Sequence, residues 1–478
     1  MEKLAYLRDY LYHPNINTRR KAVKELIKHG EDAVPILIYA LRDGAPEIRQ
    51  MAAAALGRIR SPKAIQALVP LLGDTEVEVR NEAAKTLKRI GSDSTELLIT
   101  ALHNVDKQVR AMAAYLLGEI GNKWALDPLI YVMGDQHEMV RKQAAIALGK
   151  LGDPYAIDAL IDALADPSYS VQDAVSSALI QIGLPAINRL IDSLDDFDWV
   201  KRSNAAATLG ESGHEKALQP LIKKVLDDPH EMVRQAATEA LGILKNPAAV
   251  PTLIQALTND PADNVRAMAA LALGYIGERR AIPHLIQAAR DESHNVRAYV
   301  ALALGEISQP EVVETLLKLL NDRSEDVRAQ AAFSLGKVKS KRALRALIGS
   351  LRDQDRQVRA YAISALGELR DPQAAAPLVA VIEGQDEVLA ELAGSALIKI
   401  GKPAIPALKQ LTHHPVEEIR ERVTQVLAQI AEKHASATRP KTRSKRVKTQ
   451  PRSGISDTIR KVTGKFRKIT GQLLQDDE

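Results

Sequence analysis

The chain has 478 residues, of which 46% are hydrophobic but only 3% aromatic, and it carries a formal net charge of +5. It contains no cysteine, which removes disulfides, thiolate metal sites and cysteine nucleophiles together. Apolar stretches such as the nine residues Ala374 to Ile382 fall far short of the roughly 20 that a membrane helix needs.

The amino terminus, MEKLAYLRDYLYHP, mixes charge and tyrosine into any apolar run and does not read as a secretory signal. The expectation is therefore a soluble cytoplasmic protein. Leu4, Leu7 and Leu11 place residues 1–12 on one helix, a lone capping element. Beyond it an Arg recurs every 30 to 32 residues: Arg19, Arg49, Arg80, Arg110, Arg141, Arg202, Arg234, Arg266, Arg297, Arg328, Arg359 and Arg420. Gln172 and Ala390 fill the two missing places, so the period runs through 14 units. Six residues earlier stands an Asp in ten of them: Asp43, Asp74, Asp135, Asp166, Asp196, Asp228, Asp260, Asp291, Asp322 and Asp353. A period of this length predicts a solenoid, an architecture that more often holds other molecules than transforms them.

One unit, Asp260 to Arg290, shows the physical pattern. Val265, Ala269, Ala270, Leu273 and Ile276 form the stripe of a first helix, helix A. After a turn, Ala281, Leu285, Ile286 and Ala289 form the stripe of helix B. Two such helices carry more apolar surface than they can hide from each other, so neighbouring units must stack. Gly recurs eight residues after the Arg in nine of the 14 units, which predicts a close approach by the next helix. Gly also recurs at the end of helix A (Gly30, Gly91, Gly121, Gly152, Gly183, Gly213, Gly277, Gly401), where a left-handed C-cap is expected. The Asp before helix A suits capping of its free N–H groups. Asp43, Arg49, Asp74, Arg80, Asp135, Arg141, Asp228, Arg234, Asp260, Arg266, Asp291, Arg297, Asp322, Arg328, Asp353 and Arg359 are read as a structural ladder between adjacent units. Gly384 and Ala390, where both members are missing together, fit that reading. An array of charges for a ligand is the weaker alternative.

The pattern D-x-x-x-x-V-R-x-x-A-A-x-A-L-G-x-I-G, followed by A-x-x-x-L-I-x-A-L-x-D, resembles HEAT repeats and, more narrowly, the short subtype named after phycobilisome lyases. The resemblance covers roughly 1–433 and implies an all-α solenoid of two-helix repeats. It implies less about function, because the family includes scaffolds, chromophore lyases and an iron-dependent deoxyhypusine hydroxylase. In the hydroxylase branch the resemblance implies His-Glu pairs just after the repeat Arg. The corresponding positions here are Lys142-Gln143, Gln235-Ala236, Ala267-Met268 and Ala329-Gln330, and none of the 14 units carries His-Glu there. His137-Glu138 and His230-Glu231 precede the Arg, and His214-Glu215 opens a helix B. No catalytic residue, metal site or cofactor is assigned.

One segment breaks the repeat texture. Residues 191–202 gather Asp192, Asp195, Asp196 and Asp198 around Phe197 and Trp199, in a chain with three Phe and two Trp. Asp192, Asp195, Phe197, Asp198 and Trp199 form a candidate partner site by composition. The competing reading makes Trp199 a plug between neighbouring units.

The repeat ends near residue 433, the last helix A being expected around Glu417 to Ala431. Residues 434–475 hold 12 Lys and Arg against one acid, so the basic pI of about 9.0 belongs to the tail. Residues 434–452 read as a basic, disordered linker. Residues 453–478 read as an amphipathic helix, with Ile455, Ile459, Val462, Phe466, Ile469 and Leu473 on one seam. Arg460, Lys461, Lys465, Arg467 and Lys468 flank that seam. Such a helix suits an anionic membrane surface or a partner's groove. A single Phe offers nucleic acid little stacking, which disfavours that partner.

The expectation is a non-enzymatic scaffold that binds proteins on the concave, helix-B surface, peripheral to a membrane where the tail engages one. Asp158, Asp162 and Asp192 on earlier B helices and Lys223, Lys318 and Arg345 on later ones grade that surface in charge. The alternative is an enzyme of the same repeat family, a phycobilin lyase or an iron hydroxylase.

Overall fold

A computed structural model describes residues 2–438, with side chains over 3–433. The predicted tether helix at 455–473 lies outside the described residues, as does 439–452 of the predicted linker. Among the described residues there is no strand, and no helix is long and apolar enough to cross a membrane. Contacts divide the chain into two compact units, the first described over 2–212 and the second over 213–438.

Both units are α-solenoids of alternating A and B helices. In the first, Glu2–Tyr10 leads, and the A helices are Ile16–Leu26, Pro46–Ile59, Val77–Ile90, Lys107–Ile120, Glu138–Leu151, Tyr169–Ile182 and Trp199–Ser212. In the second they are Glu231–Leu244, Asp263–Ile276, His294–Ile307, Glu325–Val338, Arg356–Leu369, Glu387–Ile400 and Glu417–Thr438. The last of these runs five residues past 433, into the segment read from sequence as linker. From Pro46 to Ile400 each helix A is 14 residues long, and the repeat Arg, or Gln172 or Ala390 in its place, falls on its first turn, at the fourth position.

An A helix packed between two others can bury most of its surface. In Asp263–Ile276 every residue from Val265 to Gly274 is buried. Close approach explains the recurrent mid-helix glycine. A Cβ on Gly118 would stand 2.6 Å from the Cα of Ala147 on the next helix A, nearer than any real contact allows.

Helix B departs from its predicted phase. The buried positions are Ala281, Ile282, Leu285 and Ala288, while Ile286 and Ala289 are only half-buried. The cause is the opening 3₁₀ turn, Arg279–Ala281, which advances three residues per turn and shifts the stripe before the α-helix begins.

The helix-A ends also divide into two kinds. Gly121, Gly152 and Gly277 adopt the predicted left-handed cap. Gly30, Gly91, Gly183 and Gly401 instead combine positive φ with ψ between −134° and −141°. In those four units the buried residue that starts helix B follows the Gly by three positions (Ala33, Ser94, Ala186, Ala404). In the capped units it follows by four (Ala125, Ala156, Ala281). The loop that is one residue shorter needs backbone angles open essentially to glycine alone.

Candidate partner-binding surface

The loop that enters helix A carries the charged ladder. Its geometry differs from a pairing of the Asp and Arg six residues apart. In eight rungs the Arg instead grips the Asp of the following unit. Arg49 donates Nε and Nη2 to the two carboxylate oxygens of Asp74, both at 2.8 Å. The same two-pronged contact joins Arg110 to Asp135, Arg141 to Asp166, Arg234 to Asp260, Arg266 to Asp291, Arg297 to Asp322, and Arg328 to Asp353. Arg19 pairs with Asp43 at 2.9 Å. Its own unit has no Asp, which explains how Arg19 and Arg110 belong to the ladder.

The third guanidinium nitrogen, Nη1, donates to backbone carbonyls of the Arg's own loop, as Arg297 does to Asp291 (2.9 Å) and Glu292 (3.0 Å). The Asp does not cap the helix N-terminus as predicted. Its Oδ1 accepts the N–H two residues on, as Asp322 does from Ser324 at 2.9 Å, which closes a turn one step before the helix. The carboxylates respond accordingly. Arg49 and Arg328 hold the Asp74 and Asp353 carboxyls below the ordinary range. At Asp322 burial pushes upward, but the bonds from Arg297 and the Ser324 N–H outweigh it, and the net shift is downward.

Two members of the predicted ladder have no carboxylate. The place facing Arg80 is Asn104, and the place facing Arg359 is Gly384. Both Args keep the bonds to their own loop carbonyls and form no ion pair among the described residues. Gly384 and Ala390 therefore belong to two different rungs and were not lost as a pair.

On this edge the end of helix B and the next loop enclose open clefts in several units. Four are described: about 530 Å³ around Tyr12 and Tyr39, about 640 Å³ around His103 and Tyr131, about 270 Å³ beside Leu226, and about 690 Å³ around Arg345, Arg352 and Arg359. In the first three the ladder Arg (Arg19, Arg110, Arg234) already holds its Asp. In the fourth, Arg359 does not. Asp386 lines that cleft, but Arg356 holds it through both oxygens at 2.7 and 2.8 Å, and with Arg356 as the main cause its carboxyl falls to about 2.

In the 191–202 segment, Phe197 is wholly exposed at its loop tip, and Asp192 and Asp195 are exposed. Asp198 caps helix A by accepting the Val200 N–H at 2.8 Å. Trp199, half-buried, opens that helix. The structure thus separates the two aromatics: Phe197 faces solvent and Trp199 packs partly inward. Asp196, which faces the neutral Gln172, is approached instead by Lys201 at 3.9 Å.

Sequence reasoning missed Val105, Tyr131, Trp124 and Tyr155, all large and well exposed. Val105 and Phe197 share one repeat position, the loop tip after the Asp place, and an apolar residue there is the signal that could have found both. Asp158, Asp162, Asp192, Lys223, Lys318 and Arg345 are all exposed on B helices. His137 and His230 stand at helix-A N-caps, and among the described residues no group of three or more His, Asp and Glu is placed to hold a metal ion.

A family model of HEAT repeats matches residues 4–88, 95–180, 187–274, 250–325 and 313–398. Yeast importin-β (Kap95p) is 14% identical over 91% of this chain and 74% of that one, with a TM-score of 0.56. The Kap95:Nup1 complex is 17% identical over 91% and 68%, with a TM-score of 0.52. These likenesses establish the fold alone. The CpcE–CpcF phycocyanin lyase complex of Nostoc sp. PCC7120 is 23% identical over 51% and 94%, but its TM-score of 0.33 is too low to carry an argument. No curated protein matches the chain. With the matched segments running almost without interruption from residue 4 to 398, the chain belongs to the HEAT-repeat family.

Proposed function

We propose that this HEAT-repeat protein is a non-enzymatic scaffold or adaptor, holding protein partners along the B helices and the adjoining ladder-edge clefts. The observation that carries the reading is the set of open clefts at one repeat position, each lined by Arg, two of them also by Tyr and one by the exposed loop tip Val105. Arg and aromatic side chains dominate the energetics of protein interfaces. Kap95p, of similar fold, has been solved with Nup1, a protein partner. The basic segment 453–478 would serve as a tether to an anionic membrane surface or to a partner, and a cytoplasmic location suits the lack of cysteine.

The test is crosslinking and affinity capture with the full-length protein, followed by reconstitution of each captured partner from purified components. Reproducible 1:1 complexes weakened by Phe197→Ala or by charge reversal at Asp158 and Asp162 support the scaffold. A stoichiometric iron pair or bound bilin in the purified protein, with turnover, would replace this reading by the enzymatic alternative. Flotation with anionic vesicles, comparing the full chain with a 1–438 truncation, reads the tether: equal flotation of both removes that role.

A further inference from the structure

Eight rungs define what the ladder position is built to hold: a planar carboxylate across Nε and Nη2 of an Arg whose Nη1 is fixed by its own loop. At Arg359 every part of that device is present except the carboxylate. Its Nη1 donates to the carbonyls of Asp353 and Gln354, both at 2.8 Å, which aims the fork as in the filled rungs. The facing turn keeps the backbone hydrogen bond of the filled rungs. The Gly384 N–H donates to the Val381 carbonyl at 3.1 Å, as Asp353 does to Ser350 at 3.2 Å and Asp322 to Leu319 at 3.1 Å. No side-chain carboxylate stands at Gly384, and the fork opens into the cleft of about 690 Å³.

Two more arginines line this cleft, Arg345 and Arg352, and neither forms an ion pair among the described residues. The one carboxylate in the lining, Asp386, is already neutralised by Arg356. Apart from Gln385 the remaining walls are apolar, with Pro377, Val381 and Leu389 beside the arginines. An Arg fork held in place binds a carboxylate with two parallel hydrogen bonds and no reorganisation. Apolar walls next to it accept a neighbouring hydrophobic side chain.

We infer that the cleft between Arg345 and Leu389 is a docking site for an acidic peptide of a partner protein, whose Asp or Glu side chain completes the rung at Arg359 while an adjacent apolar residue packs against Val381 and Leu389. This deepens the scaffold reading and rests on it. It makes one cleft specific: the other three present a ladder Arg already satisfied from within.

The test uses the full-length protein and an immobilised array of short peptides in which Asp or Glu is flanked by Leu or Phe, each beside its Asn or Gln counterpart. The array also carries the chain's own terminal segment, 471–478, which ends in Asp476, Asp477 and Glu478. The tightest peptide is then measured by fluorescence anisotropy against the wild type, Arg359→Gln, Gly384→Asp and Arg42→Gln, with circular dichroism confirming the fold of each. Carboxylate peptides should bind and their amide counterparts should not. Arg359→Gln should weaken binding on the order of tenfold, the effect of removing one well-formed charged pair. Gly384→Asp should do the same by placing the protein's own carboxylate in the fork. A Cβ at 384 would lie 3.1 Å from the Val381 carbonyl oxygen, a contact relieved by a small shift. Arg42→Gln, in another cleft, should change nothing.

Equal binding of carboxylate and amide peptides overturns the inference, as does wild-type affinity in either Arg359→Gln or Gly384→Asp. It is also overturned if the 471–478 peptide is the only binder, which would make the occupant the chain itself, or if inorganic phosphate competes at the peptide's own concentration. Any of these results leaves the scaffold intact so long as captured partners still bind elsewhere, whereas failure to reconstitute any partner removes the scaffold itself.

Discussion

The ladder is quantitative enough to be tested by a double-mutant cycle on Arg297 and Asp322. The pair is bonded twice at 2.8 Å, with side chains 7% and 12% exposed. It is therefore neither a surface pair, worth about 0–1 kcal/mol, nor a fully buried one, where removing a partner costs about 3–5 kcal/mol. Asp322→Ala also removes the acceptor of the Ser324 N–H, and Arg297→Ala the donor to two carbonyls, each loss adding about 1 kcal/mol. Single substitutions should cost about 3 kcal/mol apiece and the double about 4 kcal/mol, leaving a coupling near 2 kcal/mol. Guanidinium unfolding followed by circular dichroism supplies the free energies. Hydrogen exchange in His294–Ile307 and Glu325–Val338 then shows whether the loss falls on the interface between those two units, since neighbour contacts carry solenoid stability.

The pH dependence follows from the sign of the shift. Asp322 titrates below its ordinary range when folded, so its contribution is complete above the unfolded carboxylate value of about 3.9. It is lost as pH falls through the folded value beneath that. The coupling should be unchanged between about pH 7 and about pH 5 and should fade only in stronger acid. A coupling under about 0.5 kcal/mol, or one already gone at about pH 5, would refute the rung as a source of stability.

Other substitutions test the glycine and aromatic assignments. Gly336→Ala puts a Cβ 2.8 Å from the Cα of Ala365 and should destabilise by about 1–3 kcal/mol, against the mid-helix gain that alanine ordinarily brings; a net gain in denaturant midpoint would contradict the close-packing account. Gly183→Ala, in the short-loop conformation, should lower stability by more than Gly152→Ala in a left-handed cap, by about 1–3 kcal/mol against about 1. If the two lower the melting temperature equally, the distinction between the loops has no energetic content. Ser308 takes the left-handed cap position at φ 52° without being glycine, so Ser308→Gly should raise stability by about 0.5–1 kcal/mol; a lower melting temperature would count against it. Phe197→Ala should leave the melting temperature unchanged while weakening partner binding, and Trp199→Ala should lower the melting temperature. The opposite ranking would make Phe197 the structural residue.

How far the sequence could be read depended on whether the responsible contacts were local. Helix A was legible because Val265, Ala269, Ala270 and Leu273 meet one unbroken 3.6-residue period. Helix B was legible only in existence, since its 3₁₀ opening changes the period partway through and leaves Ile286 less buried than Leu285. The Gly30 and Gly121 classes look alike in a pattern search. One residue of loop length separates them, and that residue changes the backbone angles required.

The 14-unit period, the all-helical class and the positions of the ladder residues were set by the sequence alone, because each unit repeats the same local solution to burying its apolar stripe. Which Asp each Arg holds was decided only by tertiary structure. Six residues along the chain is the obvious partner, yet stacking brings the carboxylate of the next unit within bonding distance, about 25 residues away. The same stacking turned Gly384 from a minor irregularity into an open place opposite a prepared arginine. It also put Phe197 and Val105 at solvent-exposed loop tips.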